Sequence, residues 1–264
     1  MSGVGFDALS GAGVDPGPDR SGPSGPAPSR PAVPDGIRTV SARPHGATRL
    51  VLVRHGEAEC NVSGVCGGRL GCTGLTPRGR GQVGRLRDRL LVTGELAGAD
   101  ALYSSVLPRA IETAELLAPA LARGGDGPHR SPPLRTECGL CELHPGEADG
   151  LTWDVFTARF GALDWDLDPG RAIAPGGESW TGFVNRVAGM LEVLAARHPG
   201  QLVVVACHAG VIEASLLAMI PVVGGRSGAR LQLQTQHASM TSWEVAGDRW
   251  RLLGYNDAVP PVVG

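Results

Sequence analysis

The sequence predicts a three-layer α/β domain with a mostly parallel central sheet. Two apolar runs, residues 50–53 and 202–207, are typical of strands that are buried on both faces. Around them, short strand patterns alternate with amphipathic helix patterns along the chain. Such alternation favours crossover connections that place helices on both faces of a parallel sheet.

The N-terminal half of the domain is predicted to hold two strand–helix units. Thr76 and Pro77 mark the start of a helix, with threonine as the N-cap and proline in the first turn. Apolar residues at helical spacing follow them. The predicted elements are strand 49–54, a glycine-rich loop 56–75, helix 77–92, strand 101–103 and helix 107–121.

The C-terminal half is predicted to resume the alternation after a longer irregular stretch. A glycine pair in Pro175–Ser179 precedes the longest helix, which we expect to end near Ala196. The other predicted elements are strand 134–137, an irregular segment 139–175 with a short helix near 152–160, strand 201–207, a helix near 211–220, strands near 230–235 and 240–245, and an added edge strand at 250–254.

Composition divides the 264-residue chain into one domain and two tails. Residues 1–46 are rich in Pro, Gly and Ser and lack a periodic apolar pattern, so we expect them to be disordered. The folded domain is expected over residues 47–256, and residues 257–264 form a short C-terminal tail.

The charge balance argues against a nucleic-acid or membrane partner, because the formal net charge is only −2. All 24 basic residues are arginine, which excludes a lysine Schiff base and a P-loop lysine. The sequence contains no apolar run of about 18 residues and no signal-peptide pattern at its start. We therefore expect a cytoplasmic protein.

The six cysteines are expected to be reduced thiols in a chain of this size. Cys138 and Cys141 form a single CxxC pair, which is compatible with half of a zinc site completed by Cys66 and Cys72, or with a redox pair. Because no second CxxC pair exists, we interpret these residues as small buried thiols. No metal is assigned to the predicted site.

Two histidines stand where a predicted buried strand meets a glycine-containing turn. His55 follows the first strand and is preceded by Arg54, and His208 follows strand 201–207. Open parallel sheets bind ligands at the carboxyl ends of their strands. The pair predicts a site that grips an anion and transfers it covalently. Four other histidines are interpreted as surface or loop residues: His45, His129, His198 and His237.

The motifs around these histidines resemble those of the histidine phosphatase superfamily, the phosphoglycerate-mutase-like enzymes. That family carries Arg-His-Gly at the end of its first strand, with an asparagine six residues after the histidine. The matching segments, in the family's order over residues 49–245, are Arg54–Gly56 with Asn61, Gly68–Leu70, Leu75–Gly79, Tyr103–Ala114, Leu140–Glu147, Pro175–Ser179 and Cys207–Ile212.

The resemblance implies a phosphoglycerate-mutase-like fold and a role for each matching residue. His55 is expected to attack phosphorus and form a phosphohistidine. Arg54 and Arg109 are expected to bind the phosphoryl oxygens through their guanidinium forks, with a protonated His208 as a further donor. Three more phosphate or substrate contacts are expected: Asn61, Gly68 and Ala209.

The resemblance also implies an acid for the leaving group. Glu142 is expected to protonate the departing alcohol oxygen and then to accept a proton from the attacking water. Glu147 is the reserve candidate, because it lies in the same segment. Residues 139–170 are expected to form a lid over the leaving group, with four aromatic side chains: His144, Trp153, Phe156 and Trp165.

Departures from the mutases favour a phosphomonoesterase. The mutases of the family carry Glu-Arg-His-Tyr where this chain has Glu142-Leu143-His144-Pro145, and this chain also lacks their longer basic insert. The alternatives are a cofactor-dependent phosphoglycerate mutase and a non-catalytic phosphate-binding regulatory protein. The expected partner is a small-molecule phosphate ester, with no cofactor and no metal; homodimerisation is left open.

Overall fold

The computed structural model describes residues 46–123, 130–219 and 233–260. Its centre is a six-stranded sheet in the order β3-β2-β4-β1-β5-β6. The strands are β1 (Thr48–Arg54), β2 (Ala101–Ser104), β3 (Leu134–Thr136), β4 (Leu202–Cys207), β5 (Met240–Ala246) and β6 (Arg249–Asp257). Strands β3, β2, β4 and β1 pair in parallel, whereas β5 pairs antiparallel with both β1 and β6. The predicted α/β fold is confirmed.

Six α-helices accompany the sheet in the described residues: α1 (Glu59–Ser63), α2 (Pro77–Thr93), α3 (Pro108–Leu117), α4 (Trp153–Phe160), α5 (Trp180–Arg197) and α6 (Ala209–Met219). Thr76 caps α2 as predicted, accepting a hydrogen bond from Gly79 N at 2.9 Å. Ser179 caps α5 in the same way, through Gly182 N at 3.1 Å. In the described part of the chain, no helix is both long and apolar enough to span a membrane.

Three details differ from the sequence prediction. Helix α1 was not predicted, because its five residues fill barely more than one turn and show no apolar stripe. The strand predicted near 230–235 is wrong where it can be compared, since residues 233–235 are irregular and 230–232 lie outside the described residues. The β5–β6 hairpin finishes the sheet instead, and β6 continues to Asp257, the first residue of the predicted C-terminal tail.

The sheet separates two apolar cores, which explains the unbroken apolar runs of its central strands. In β1, Leu50 and Leu52 pack into one core, and Val51 and Val53 into the other. Strand β4 alternates in the same way. All four of these β1 side chains are fully buried, so both faces of the strand require apolar residues.

The parallel pairing of β1 with β4 brings the two predicted histidines together. Arg54 lies opposite Cys207 at the last register position, so His55 and His208 leave the sheet side by side. The amide of His55 also donates to Cys207 O at 3.0 Å. The common strand end thus fixes the backbone beneath both imidazoles.

Candidate active site

The ends of β1 and β4 form the base of the site, here called the strand-end floor: Arg54, His55 and His208. The ring centroids of the two histidines lie 5.2 Å apart. His55 Nδ1 lies 2.6 Å from Gly56 O, a carbonyl that only accepts, so Nδ1 carries the proton. Arg109 Nε donates to His55 Nε2 at 3.1 Å. The lone pair of His55 is therefore on Nε2, the nitrogen that faces Arg109.

Burial keeps both imidazoles of the floor neutral. Desolvation holds the pKa of His55 well below its ordinary value of 6.5, and the charge of Arg109 adds to this effect. Desolvation, with Arg109 and Arg54, lowers the pKa of His208 in the same direction. A neutral His55 is competent as a nucleophile. The predicted protonated state of His208 is not the one that this environment favours.

A hydrogen-bond chain orients His208. The amide of Leu107 donates to Ser105 Oγ at 3.2 Å, which leaves the serine hydroxyl proton for His208 Nε2, 2.8 Å away. The proton of a neutral His208 then lies on Nδ1. This nitrogen is fully buried and finds no hydrogen-bond partner among the described residues. His208 thus presents an unused donor beside His55 without needing a positive charge.

Arg54 is anchored by the loop before β5, which no sequence motif connects with the site. Its Nη1 donates to Thr235 O, and its Nη2 lies 2.9 Å from His237 Nε2. Burial lowers the pKa of Arg54 to about 10. Burial also lowers the pKa of His237, to about 3, and the charge of Arg54 adds to this shift. His237 lies in a loop as predicted, but its ring centroid is 5.8 Å from that of His55.

The remaining predicted surface or loop histidines have different outcomes. His198 lies in the turn after α5, but it is buried there, 3.0 Å from the Tyr103 hydroxyl, so it is not a surface residue. His45 and His129 lie outside the described residues.

Arg109 enters the site from the first turn of α3. Pro108 starts that helix, and the buried Arg109 side chain reaches both His55 and Gly67 O, the latter at 2.6 Å. Behind it lie Cys60 and Cys72, which share a hydrogen bond. This bond, aided by the charge of Arg109, lowers the pKa of the Cys72 thiol below its ordinary value.

Glu142 lies on an irregular segment, residues 138–148, here called the acid loop. Its Oε2 accepts from Gly210 N at 3.1 Å and its Oε1 from Leu143 N at 3.2 Å. A Cβ at Gly210 would lie 2.2 Å from Glu142 Oε1, so the carboxylate could not keep this position with a larger residue there. These contacts aim Glu142 at the end of β4, next to His208.

Arg186 of α5 binds the backbone of the acid loop. Its isolated position in the sequence does not reveal this role. Its Nη1 donates to Gly139 O at 2.9 Å and to Cys141 O at 3.1 Å. Its Nε also binds Glu178 Oε1 at 2.7 Å. One guanidinium thus fixes several loop carbonyls that no helix or strand would satisfy.

The reserve acid, Glu147, points elsewhere. Its carboxylate pairs with Arg159 Nη2 at 2.7 Å on the surface, with about half of each side chain exposed. A further acidic group, Glu213 on α6, lies near Glu142; burial, with the charge of Glu142, raises the pKa of Glu213 to about 7. Of the two candidate acids, only Glu142 faces the histidines.

A cavity of ≈ 80 Å³ opens above the floor. Six of the eight predicted site residues line it, and the other two, Arg54 and His208, lie deeper beside His55. The six are His55, Asn61, Gly68, Arg109, Glu142 and Ala209. Asn61 also holds the loop, since its Oδ1 accepts from Ala58 N at 2.9 Å.

The predicted lid is only partly at the cavity. Trp153 lines it together with Leu143, Pro145 and Ile173. Phe156 and Trp165 belong instead to the apolar core, where they are almost completely buried. His144 turns away from the cavity toward Cys138 and Glu178.

Comparison with known proteins identifies the same family over most of the chain. The profile of the histidine phosphatase superfamily (branch 1) matches residues 50–258. A metal-independent phosphoserine phosphatase from Arabidopsis thaliana is 29% identical over 211 residues, which cover 77% of this chain and 81% of that protein. A 2,3-bisphosphoglycerate-dependent phosphoglycerate mutase from Azorhizobium caulinodans is 30% identical over 181 residues, which cover 64% of this chain and 80% of that protein.

Solved structures share the fold. A mycobacterial glucosyl-3-phosphoglycerate phosphatase, solved in complex with VO3, is 28% identical with a TM-score of 0.60, and the match covers 80% of this chain and 99% of that one. The similar proteins include phosphatases and a mutase, so their names alone do not separate the two reactions.

Proposed function

The chain belongs to the histidine phosphatase superfamily, and on that premise we propose that it is a phosphomonoesterase acting on a small phosphorylated metabolite through a phosphohistidine on His55. The observation that carries this proposal is the state of His55. Its Nδ1 proton is held by Gly56 O, and its Nε2 lone pair faces the buried guanidinium of Arg109. A neutral, oriented imidazole beside a fixed cation is suited to attack on a phosphate dianion.

In the first step, His55 Nε2 attacks phosphorus in line with the ester oxygen. The P–N bond forms while the P–O bond breaks, and Glu142 gives its proton to the leaving alkoxide. Arg54 and Arg109 bind the phosphoryl oxygens, and His208 donates from Nδ1. The dianion, once bound, also favours a positive charge on His208.

In the second step, water replaces the leaving group. The Glu142 carboxylate takes a proton from this water as its oxygen attacks phosphorus and the P–N bond breaks. Inorganic phosphate departs, and both His55 and Glu142 return to their starting protonation states.

We propose that phosphoryl transfer to His55 needs no metal ion, because arginines supply the positive charge that a metal would otherwise provide. Two guanidiniums of fixed charge and one imidazole donor surround the reaction position. The name of the Arabidopsis thaliana relative agrees with this proposal.

The charges of the cavity favour hydrolysis over mutase transfer. A mutase must hold a second phosphate while the first is transferred. Among the described residues that line this cavity, Arg109 is the only arginine, and the wall near Glu142 is apolar: Leu143, Pro145, Trp153 and Ile173. Such a wall suits a leaving group with one phosphate.

A panel of phosphate esters distinguishes the two reactions. We expect release of inorganic phosphate from at least one small alkyl phosphate and from p-nitrophenyl phosphate, without any need for 2,3-bisphosphoglycerate and with p-nitrophenyl phosphate turnover retained in EDTA. Interconversion of phosphoglycerates that depends on the bisphosphate would instead establish a mutase. Loss of p-nitrophenyl phosphate turnover in EDTA would contradict metal-independent phosphoryl transfer.

A further inference from the structure

We propose that Cys138, Cys141 and His144 bind a zinc ion that fixes the acid loop. Their ligand atoms all lie within 4.8 Å of one another. The third ligand is His144, three residues after the CxxC pair, and not Cys66 or Cys72, the possible partners that the sequence offered. Two thiolates and an imidazole are a ligand set that zinc prefers.

The distances between the ligand atoms fit a tetrahedral ion. Cys138 Sγ lies 3.7 Å from Cys141 Sγ and 3.5 Å from His144 Nε2. Zinc–sulfur bonds of about 2.3 Å and zinc–nitrogen bonds of about 2.0 Å, at tetrahedral angles, separate two sulfurs by about 3.8 Å and sulfur from nitrogen by about 3.5 Å. Both observed separations therefore match two edges of a zinc tetrahedron.

The other nitrogen of His144 has the partner that a zinc-bound histidine needs. Glu178 Oε2 lies 3.4 Å from His144 Nδ1 and accepts from the His144 amide at 2.9 Å. This carboxylate places the imidazole proton on Nδ1 and leaves Nε2 free to coordinate. The ring is thus already oriented for the ion.

The backbone that carries the two cysteines is fixed before any ion binds. Residues 138–140 form a 3₁₀ turn, closed by a hydrogen bond from Cys141 N to Cys138 O at 3.0 Å. A Cβ at Gly139 would lie 2.6 Å from Met190 Sδ, so the turn packs closely on α5. Arg186 then holds the carbonyls of Gly139 and Cys141. The sulfur positions therefore need little adjustment.

Charge and access also suit the ion. Zinc with two thiolates is neutral, and Arg69 Nη2 lies 3.7 Å from Cys138 Sγ, where it stabilises the thiolate. Cys141 is buried, whereas 39% of the His144 side chain is exposed. The ion has a path from solvent, and water takes the fourth position.

The proposed zinc ligands lie on both sides of the proposed acid, Glu142, in the sequence. Glu142 directly follows Cys141 and lies two residues before His144, so the ion would fix both sides of the acid in the chain. This part of the inference rests on the proposed function. It predicts that metal loss slows esters with poor leaving groups, which need the acid, and spares p-nitrophenyl phosphate, whose leaving group does not.

Metal titration of the reduced full chain tests the site without any activity assay. We expect one Zn²⁺ per chain, and with Co²⁺ a sulfur-to-metal charge-transfer absorption that zinc abolishes. Glu178→Gln should weaken binding by about 10–100-fold, and Cys138→Ser and His144→Asn by more. Cys207→Ala, which removes a buried thiol elsewhere, should leave the stoichiometry and affinity unchanged.

Two outcomes would overturn the site: no thiolate absorption with cobalt, or unchanged affinity in Cys138→Ser and His144→Asn. If the zinc ion positions Glu142, alkyl phosphate turnover should fall on metal removal and return with Zn²⁺. Metal binding without any change in this turnover would overturn the link but not the site. A protein that hydrolyses no ester refutes the proposed function, while the titration still decides the site.

Discussion

The strand-end floor and the acid loop both contribute to the candidate active site, but they are held in place in different ways. The floor is the direct continuation of β1 and β4, whose paired backbones fix His55 and His208. The acid loop follows the short strand β3, but Glu142 stands six residues beyond the end of that strand, Thr136. The loop carbonyls are held by one guanidinium, that of Arg186, and the acid by the amide of Gly210.

This difference indicates a division of the proposed chemistry. Phosphoryl transfer needs charges and a nucleophile at fixed positions. The buried carboxyl ends of β1 and β4 supply such positions. The leaving group differs from substrate to substrate, and its acid lies on a segment whose shape can change without disturbing the sheet. We therefore expect floor variants to affect all esters alike and loop variants to affect only poor leaving groups.

The largest effect is expected at Arg109, whose guanidinium contacts His55 of the floor. Arg109→Ala removes a buried guanidinium that contacts His55, so kcat/KM should fall by about 10³-fold for aryl and alkyl phosphates alike. Steady-state kinetics on both ester classes measures this, with circular dichroism to check folding. Arg87→Ala on α2, whose guanidinium pairs with the neighbouring Asp88, is the control and should leave kcat/KM unchanged for both ester classes. A loss confined to alkyl phosphates would contradict the division.

The acid loop should respond differently. Glu142→Gln keeps the shape of the side chain but removes the proton, so kcat for alkyl phosphates should fall by about 10²-fold or more, with p-nitrophenyl phosphate slowed by less than about 10-fold. Glu147→Gln is the control, because its carboxylate pairs with Arg159 on the surface. Equal losses for both ester classes would place Glu142 in phosphoryl transfer itself.

The floor should also dominate the pH dependence of stability. The folded-state pKa values of His55 and His208 lie well below their ordinary 6.5, so below pH 6.5 the unfolded chain binds more protons. Their contribution is complete above pH 6.5 and is lost as the pH falls, by up to about 1.4 kcal/mol per pH unit for each histidine. Denaturant unfolding between pH 8 and 5 measures this slope. His208→Asn should flatten it; an unchanged slope would refute the neutral, buried state.

The smallest effect is expected where the loop meets α6. Gly210→Ala places a methyl group against the flexible carboxylate of Glu142 and leaves the helix intact. Alkyl phosphate turnover should fall by roughly 3–10-fold, as expected for partial loss of acid catalysis, with aryl phosphate turnover unchanged. Gly189→Ala on α5, where a Cβ meets nothing within 4 Å, is the control. An unchanged alkyl phosphate rate would show that the Gly210 contact does not position the acid.

The sequence predicts the floor better than the loop, for physical reasons. An apolar run such as Leu50–Val53 fixes a buried strand, and the strand end fixes the position of His55. The contacts of Arg186 and His237 join segments far apart in the chain, and no periodic pattern encodes them. The family resemblance pointed to Glu142. The choice between Glu142 and Glu147 required the ion pair of Glu147 with Arg159, which is visible only in three dimensions.

The most direct test of the account is the location of the transferred phosphoryl group. A 32P-labelled ester, quenched in alkaline detergent within one turnover, should leave one label per chain, and peptide mapping should place it on His55. His55→Ala should carry none, and His198→Gln, altered at a buried histidine outside the cavity, should label as the natural protein does. A label on any other residue, or turnover by His55→Ala without a phosphoenzyme, would contradict the account.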